Sequence, residues 1–287
     1  KKYMGDRAFY RHYLLLAVPM ILQNAITNLV SFLDNIMVGQ LGTEQMSGVA
    51  IVNQLIFVYN LAIFGAVSAA SIFGAQYFGN GDHRGHMHSF RFKLYATLLV
   101  SGLTMLLLLT KGSDLISLYL TDTAGNGATD VALQYGKQYL VIMLVGLVPF
   151  AVNQAYATNI KETGQTLVPM LASFVAVGTN AVLDYLLIFG VGPFPELGVT
   201  GAALATVIAR YVEAVIVVLW AHRNREKNRY LEGAYRGFGI PVSELKTILI
   251  KGLPLMFNEV LWAAGMTTVT QCYSVRGLDV VAGLNIA

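Results

Sequence analysis

The chain has 287 residues, of which 55% are hydrophobic and 12% charged, and its mean hydropathy is +0.59. Soluble domains carry about 25% charged residues, so this composition is typical of a membrane protein. The net charge is only +3, and the positive residues lie in short clusters between apolar runs. This distribution argues against the basic face that nucleic-acid binding requires. With a single cysteine, Cys272, the chain cannot form a disulfide framework or a cysteine-based metal site.

Seven segments along the chain are apolar enough to cross a bilayer, whose hydrocarbon core needs about 20 residues of helix. In chain order they are residues 13–33, 45–81, 94–110, 138–160, 163–183, 199–221 and 245–271. The second is interpreted as one long helix in which Gly65 is the candidate for a bend, and Pro149 is the candidate for a kink in the fourth. The sequence therefore predicts an all-α, polytopic membrane protein.

The positive residues are distributed unequally between the two sides of these spans. Fifteen of the 19 Lys and Arg residues fall on the side of the N-terminus, three on the other side, and Arg210 within a span. Because loops rich in Lys and Arg stay in the cytoplasm, the sequence predicts a multi-pass protein of the cell membrane with a cytoplasmic N-terminus. It also predicts a transmembrane lobe at 1–222, a cytoplasmic loop at 223–244 and the start of a second lobe at 245–287.

A weak internal repeat supports that division. The segment Ala17–Asn24 resembles Gly252–Glu259, and their prolines lie 235 positions apart. At the same offset two glycine pairs align, Gly42 with Gly277 and Gly48 with Gly283. Because six spans separate the copies, they share one orientation, as in a parallel repeat. This predicts a six-helix bundle followed by the first helix of a second bundle, in a native protein of about twelve spans. The alternative is a chance likeness of helices that begin with proline.

Two of the predicted spans carry a carboxylate at a similar depth. Asp34 lies near the outer end of the first span and Asp184 in the outer third of the fifth, with Asn180 one turn before it on the same face. Two close carboxylates in a low dielectric cannot both stay charged cheaply, so they favour uptake of a proton or of a cation such as Na⁺. Either ion is expected to couple transport, with no other cofactor or metal. The alternative is that Asp34 caps its helix or lies among the headgroups.

Further polar side chains are predicted at the same level. Tyr135 and Tyr139 begin the fourth span, and Asn53 and Gln54 lie near the outer start of the second. Together with Asn153 they are candidates to line the site or contact a substrate. The alternative for the tyrosines is that they anchor the protein at the membrane interface, where aromatic residues are common.

Glu259 lies near the middle of the seventh span, a costly position for an acid, and is a further candidate for coupling. The alternative is a structural hydrogen bond to a neighbouring helix. Arg210 and Glu213, three residues apart, are predicted to form a structural pair, and the alternative is contact with a substrate. A small-residue stripe predicts close helix packing: Gly201, Ala205 and Ala209. A histidine-rich stretch is predicted to be a solvated cytoplasmic loop rather than a metal site: His83, His86 and His88.

Several motifs occur together in one order. They are Ala17-Val-Pro-Met20, Leu33-Asp-Asn-Ile-Met-Val-Gly-Gln-Leu-Gly42, Gly74-Ala-Gln-Tyr-Phe-Gly-Asn-Gly-Asp82, Thr163-Gly-Gln-Thr-Leu-Val-Pro-Met170 and Gly198-Val-Thr-Gly-Ala-Ala-Leu-Ala-Thr206. In these the chain resembles the MATE family of multidrug and toxin extruders. The resemblance implies two six-helix lobes around a central cavity, and Na⁺- or H⁺-driven export of small organic cations by alternating access. It places Asp34, Asn180 and Asp184 in the cation site of the first lobe, and Glu259 at an acidic position of the second.

These features favour a cation-coupled antiporter whose partners are the lipid bilayer, small organic cations and a second lobe. The alternative is a flippase for lipid-linked or polyprenyl substrates, which would need a cationic cavity for phosphates, yet the spans contain little Lys or Arg. An enzyme is not expected, because the chain contains no H-E-x-x-H, G-x-S-x-G or P-loop motif.

Overall fold

The chain folds into eight α-helices, as seen in a computed structural model that describes residues 6–120, 128–237 and 239–274. The helices are α1 (Arg7–Gly39), α2 (Thr43–Gly79), α3 (His83–Ser117), α4 (Ala128–Val145), α5 (Leu147–Glu162), α6 (Leu167–Phe189), α7 (Val199–Arg223) and α8 (Val242–Ser274). A 3₁₀ turn at Arg229–Leu231 lies between α7 and α8. The predicted all-α class is confirmed.

Most of these helices meet the requirements of a membrane span. Five of them, α1, α2, α3, α6 and α7, are long and apolar enough to cross a bilayer, and α4 with α5, which meet at an angle of 45°, makes a sixth if the bent pair is one span. The prediction of one long second helix is confirmed, since α2 is continuous over 37 residues. The predicted seventh span lies within α8, and its crossing of the membrane stays a prediction. The repeat positions Gly277 and Gly283 lie outside the described residues.

The bend between α4 and α5, which together correspond to the fourth predicted span, lies at Gly146, where α4 ends and α5 begins. The kink predicted for this span at Pro149 is thus present, three residues earlier than the proline itself. Proline has no N–H, so the carbonyl four residues before it loses its helical partner and the helix breaks there. Two carbonyls at the break accept side-chain hydrogen bonds, from the Tyr59 hydroxyl to Leu147 (2.8 Å) and from Arg210 to Gly146 (3.4 Å).

The long helix α2 is the centre of the bundle and packs against α1, α3, α4, α5 and α8. On the other side α6 packs along α7, and α1 lies against α6. The predicted close packing of the small-residue stripe is confirmed, because all three of its residues are buried. A Cβ atom added at Gly201 would lie 2.6 Å from the backbone carbonyl oxygen of Leu187 in α6.

Gly201→Ala is therefore expected to destabilise the protein by about 1–3 kcal/mol, because the added methyl group pushes α7 away from a backbone atom that cannot yield. Gly178→Ala in α6 is the matched control. Among the described residues no atom lies within 4 Å of a Cβ placed there, so the same change should be neutral or slightly stabilising. Thermal unfolding in detergent measures both. Equal melting temperatures for the two variants would show that this contact does not limit helix packing.

A buried polar network joins α3 to α5 at the predicted cytoplasmic end. His86 Nε2 lies 3.2 Å from Glu162 Oε2, and the Lys93 ammonium binds both the Glu162 carboxylate and Asn159 Oδ1 (2.7 Å). The prediction of a solvated loop at the histidines was wrong. The Asp82 side chain accepts hydrogen bonds from backbone N–H groups in the first turn of α3, so the helix begins just before the histidines. Because His86 is therefore part of a helix, its side chain is buried in the bundle.

The loop that follows α7 is held against α3 by one arginine. The buried Arg91 guanidinium donates hydrogen bonds to four backbone carbonyls of this loop, those of Gly233 (2.6 Å), Ala234 (2.8 Å), Gly239 (2.8 Å) and Arg236 (3.3 Å). The same helix also contacts the start of α8, because His88 Nδ1 lies 2.9 Å from Glu244 Oε2. The polar connection between α7 and α8 is thereby fixed in position on the first bundle.

Candidate cation site within the bundle

Two carboxylates lie near each other in the part of the bundle where α1 packs against α6. Asp34 and Asp184 each lie five residues before the last residue of their helix, at the same end of the bundle. They are close enough for their charges to interact with each other and with Tyr139. Asp184 is 1% exposed. Within the described part of the chain, both of its carboxylate oxygens and Oδ1 of Asp34 are buried without a hydrogen-bond partner.

A polar cavity of about 330 Å³ lies beside Asp34. Four of the predicted residues line it, namely Asp34 itself, Asn53, Gln54 and Tyr139. The Tyr139 hydroxyl donates a hydrogen bond to Asn53 Oδ1 (3.2 Å) and so ties α4 to α2 at the cavity wall. The structure therefore gathers these side chains from three helices around one space.

The other predicted residues lie outside this cavity lining. Asn180 is buried on α6 one turn from Asp184, and its amide nitrogen has no partner among the described residues. Asn153 is buried on α5, and Tyr135 is half-buried against the apolar core of the bundle. Glu259 lies in α8, but its side chain is outside the described residues.

Four polar residues of the cavity were not among the predicted site residues: Asn35, Asn60, Thr206 and Arg210. Asn60 follows Asn53 by seven residues, which places both on one face of α2, and Arg210 follows Thr206 by four on α7. A search for polar residues at helical spacing would have found both pairs. The cavity thus has a cationic side chain as well as an acidic one.

The predicted pair of Arg210 with Glu213 forms no salt bridge among the described residues, and each side chain makes its direct contact elsewhere, although their charges still interact. The Arg210 guanidinium lies over the Phe150 ring, 5.1 Å from its centre, beside the break in the fourth predicted span. The Glu213 carboxylate accepts a hydrogen bond from Ser173 (2.5 Å), which in turn accepts one from Gln23 (2.6 Å). Three helices are linked by this chain of contacts, and Arg210 is left facing the cavity.

The chemistry of the acid pair follows from its missing partners. A buried carboxylate without a donor or counter-ion is costly, and the cost falls when it takes up a proton or binds a cation. Carboxylate and amide oxygens are also the ligands that suit a hard cation such as Na⁺. One guanidinium against two carboxylates leaves the site with an excess of negative charge.

Apolar spans packed around carboxylates that have no hydrogen-bond partner in the described part of the chain define a polytopic α-helical membrane protein with ionisable groups inside its bundle. Such groups within a bilayer mark ion or substrate pathways. A family model described as MatE matches residues 19–186, and the chain belongs to this family of transporters.

The relatives agree with this assignment. The chain is 27% identical over 273 residues to a probable multidrug resistance protein NorM from Thermotoga maritima, a match that covers 94% of this chain and 56% of the relative. Among solved structures, a MATE family transporter in an inward-facing conformation has the same fold, with a TM-score of 0.74 and 23% identity over 96% of this chain and 60% of that chain. A MATE family transporter in an outward-facing conformation matches with a TM-score of 0.77 and 22% identity over 94% of this chain and 58% of that chain. The chain spans about half the length of the relatives it matches.

Proposed function

We propose that this chain forms the first lobe of a cation-coupled antiporter that exports small organic cations by alternating access, with H⁺ or Na⁺ as the coupling ion. A second lobe completes the transporter, and the N-terminus lies in the cytoplasm. The observation that carries the proposal is the pair formed by Asp34 and Asp184, whose buried oxygens have no partner in the described part of the chain.

Coupling follows from the charge of this pair. A proton or Na⁺ bound by the carboxylates neutralises the charge that would also attract an organic cation into the cavity beside Asp34. The two cations therefore weaken each other's binding, and the weakening is reciprocal. An antiporter needs this relation, because entry of the coupling ion then drives release of the substrate.

A second cavity offers room for the apolar part of such a substrate. It has a volume of about 720 Å³, within the range that holds drug-sized ligands. Apolar side chains of α2 and α3 form most of its wall, and Ala264, Thr267 and Thr268 of α8 complete it. It thus lies where the first bundle meets the start of the second, as a substrate path between two lobes requires.

The proposal is tested by ethidium transport in everted vesicles that contain the two-lobed protein, in which export from the cytoplasmic side is measured as uptake of the dye into the lumen, with an H⁺ or a Na⁺ gradient imposed. We expect efflux to depend on one of the two gradients, which identifies the coupling ion. Vesicles that contain this chain alone are the control and should show no efflux. If the folded two-lobed protein moves no cationic dye under either gradient, the antiporter is wrong, and transport of lipid-linked substrates is to be measured instead.

A further inference from the structure

Another polar cavity, of about 360 Å³, lies at the predicted cytoplasmic end of the bundle. Its walls come from the end of α2, the start of α3, the turn between α5 and α6, and the loop that follows α7. The acid pair lies near the opposite ends of α1 and α6, so this cavity is separate from the cation site. We call it the loop cavity.

Basic side chains dominate the loop cavity. Lys227 and Arg229 line it, and neither forms a salt bridge with any residue that the structure describes. His83 lies beside them, with its Nε2 atom 3.4 Å from Arg229 Nη1. Glu226 is the acidic residue of the lining. Two positive charges against one negative charge make the cavity attractive to an anion.

A buried phenol adds a hydrogen-bond donor to these charges. Tyr230 lines the cavity and is 1% exposed, yet its hydroxyl has no partner among the described residues. Burial raises the pKa of Tyr230 above its ordinary value, so the hydroxyl keeps its proton. The ring is fixed by His86 and Phe90, each with its ring centre 5.0 Å away. A fixed donor without an acceptor is costly unless a ligand supplies one.

The nearby carboxylate of Glu162 does not cancel this positive field. It is bound by the Lys93 ammonium and by His86 in the buried network described above. The loop that carries Lys227, Arg229 and Tyr230 is also fixed in place, because Arg91 binds the backbone carbonyls a few residues further along it. The donors are therefore presented by an anchored segment.

We propose that the loop cavity binds a phosphate group, carried either by the headgroup of an anionic phospholipid or by free phosphate. A phosphate is rich in acceptor oxygens, which match the guanidinium, the ammonium and the phenol donor. The volume suits a headgroup, and Phe78, 39% exposed, gives the lining an apolar side for the glycerol part of a lipid. The site lies at the ends of α2, α3 and α6, and the proposal places these ends at the level of the lipid phosphates.

The test measures lipid binding to the purified two-lobed protein by native mass spectrometry, with phosphatidylglycerol against phosphatidylcholine. Arg229→Gln is expected to weaken phosphatidylglycerol binding by about tenfold, as for loss of one hydrogen bond between charged groups. Arg225→Gln, an exposed charge in the same loop outside the cavity, is the matched control and should bind like wild type. Tyr230→Phe keeps the charge and removes the donor, and should weaken binding about threefold or more.

Competition with inorganic phosphate separates the two sources. Displacement of the lipid by millimolar phosphate identifies free phosphate as a ligand, whereas resistance to it identifies the lipid headgroup. The proposal is wrong if wild type shows no preference for phosphatidylglycerol and no binding of phosphate. It is also wrong if Arg225→Gln weakens binding as much as Arg229→Gln, or if Tyr230→Phe has no effect. Should Arg229→Gln fail to fold, Lys227→Gln replaces it.

Discussion

Asp34→Asn is expected to abolish gradient-driven efflux of an organic cation by the two-lobed protein, down to the rate of vesicles without it. The amide has nearly the shape of the carboxylate but can neither take up a proton nor balance the charge of Na⁺. Because Oδ1 of Asp34 is buried without a partner among the described residues, removing the charge should leave the fold intact. Dye efflux under an imposed gradient measures the loss, and size-exclusion chromatography checks folding.

Asp114→Asn is the matched control for this change. Asp114 is an exposed carboxylate near the end of α3. Its Oδ2 atom lies 3.4 Å from the Nζ atom of Lys111, which is also exposed. The same substitution there should leave efflux unchanged. Wild-type, gradient-dependent efflux by Asp34→Asn would mean that Asp34 takes no part in coupling, and the site would then have to be sought in the second lobe.

Lys93→Met is expected to lower the free energy of unfolding by about 3–5 kcal/mol, the usual cost of removing one partner of a buried ion pair. The substitution leaves the Glu162 carboxylate buried at the contact between α3 and α5, where His86 is then its one ion-pair partner among the residues that the structure describes. The double variant Lys93→Met/Glu162→Gln should recover much of the loss, because no uncompensated charge remains. Thermal or denaturant unfolding in detergent measures these differences.

Lys111→Met provides the comparison for this second prediction. It breaks an ion pair that also joins a lysine to a carboxylate, but one in which both partners are more than half exposed. Such pairs contribute within about 1 kcal/mol. If Lys93→Met is as stable as Lys111→Met, the buried network does not hold α3 against α5, and the bundle must rely on its apolar contacts there.

The course of the helices could be predicted from the sequence, because the hydropathy and length of a segment largely determine whether it spans a membrane. Apolar runs indicated the course of α1, α2, α3, α6 and α7, and the proline in the fourth predicted span indicated the bend. Asp34 and Asp184 were identifiable for the same reason, since a carboxylate stands out in an apolar run. That these two carboxylates lie near each other could not be predicted from hydropathy, because it depends on the packing of α1 against α6.

Other features depend on contacts between distant parts of the chain. The stretch from His83 to Lys93 is polar, and polarity alone indicates a loop. Its burial depends on Glu162, which lies about 70 residues away in sequence on the facing helix. The break at Gly146 likewise depends on donors from α2 and α7, and Arg210 contacts the Phe150 ring beside that break instead of the acid three residues along its own helix.

The central claim is that an organic cation and the coupling ion compete for the charge of Asp34 and Asp184. The most direct test is the affinity of the purified two-lobed protein for tetraphenylphosphonium, measured over a range of pH at fixed Na⁺ and over a range of Na⁺ at fixed pH. We expect the affinity to fall as the concentration of the coupling ion, H⁺ or Na⁺, rises, and this dependence to disappear in Asp34→Asn. An affinity that changes with neither ion in the wild-type protein would contradict the account.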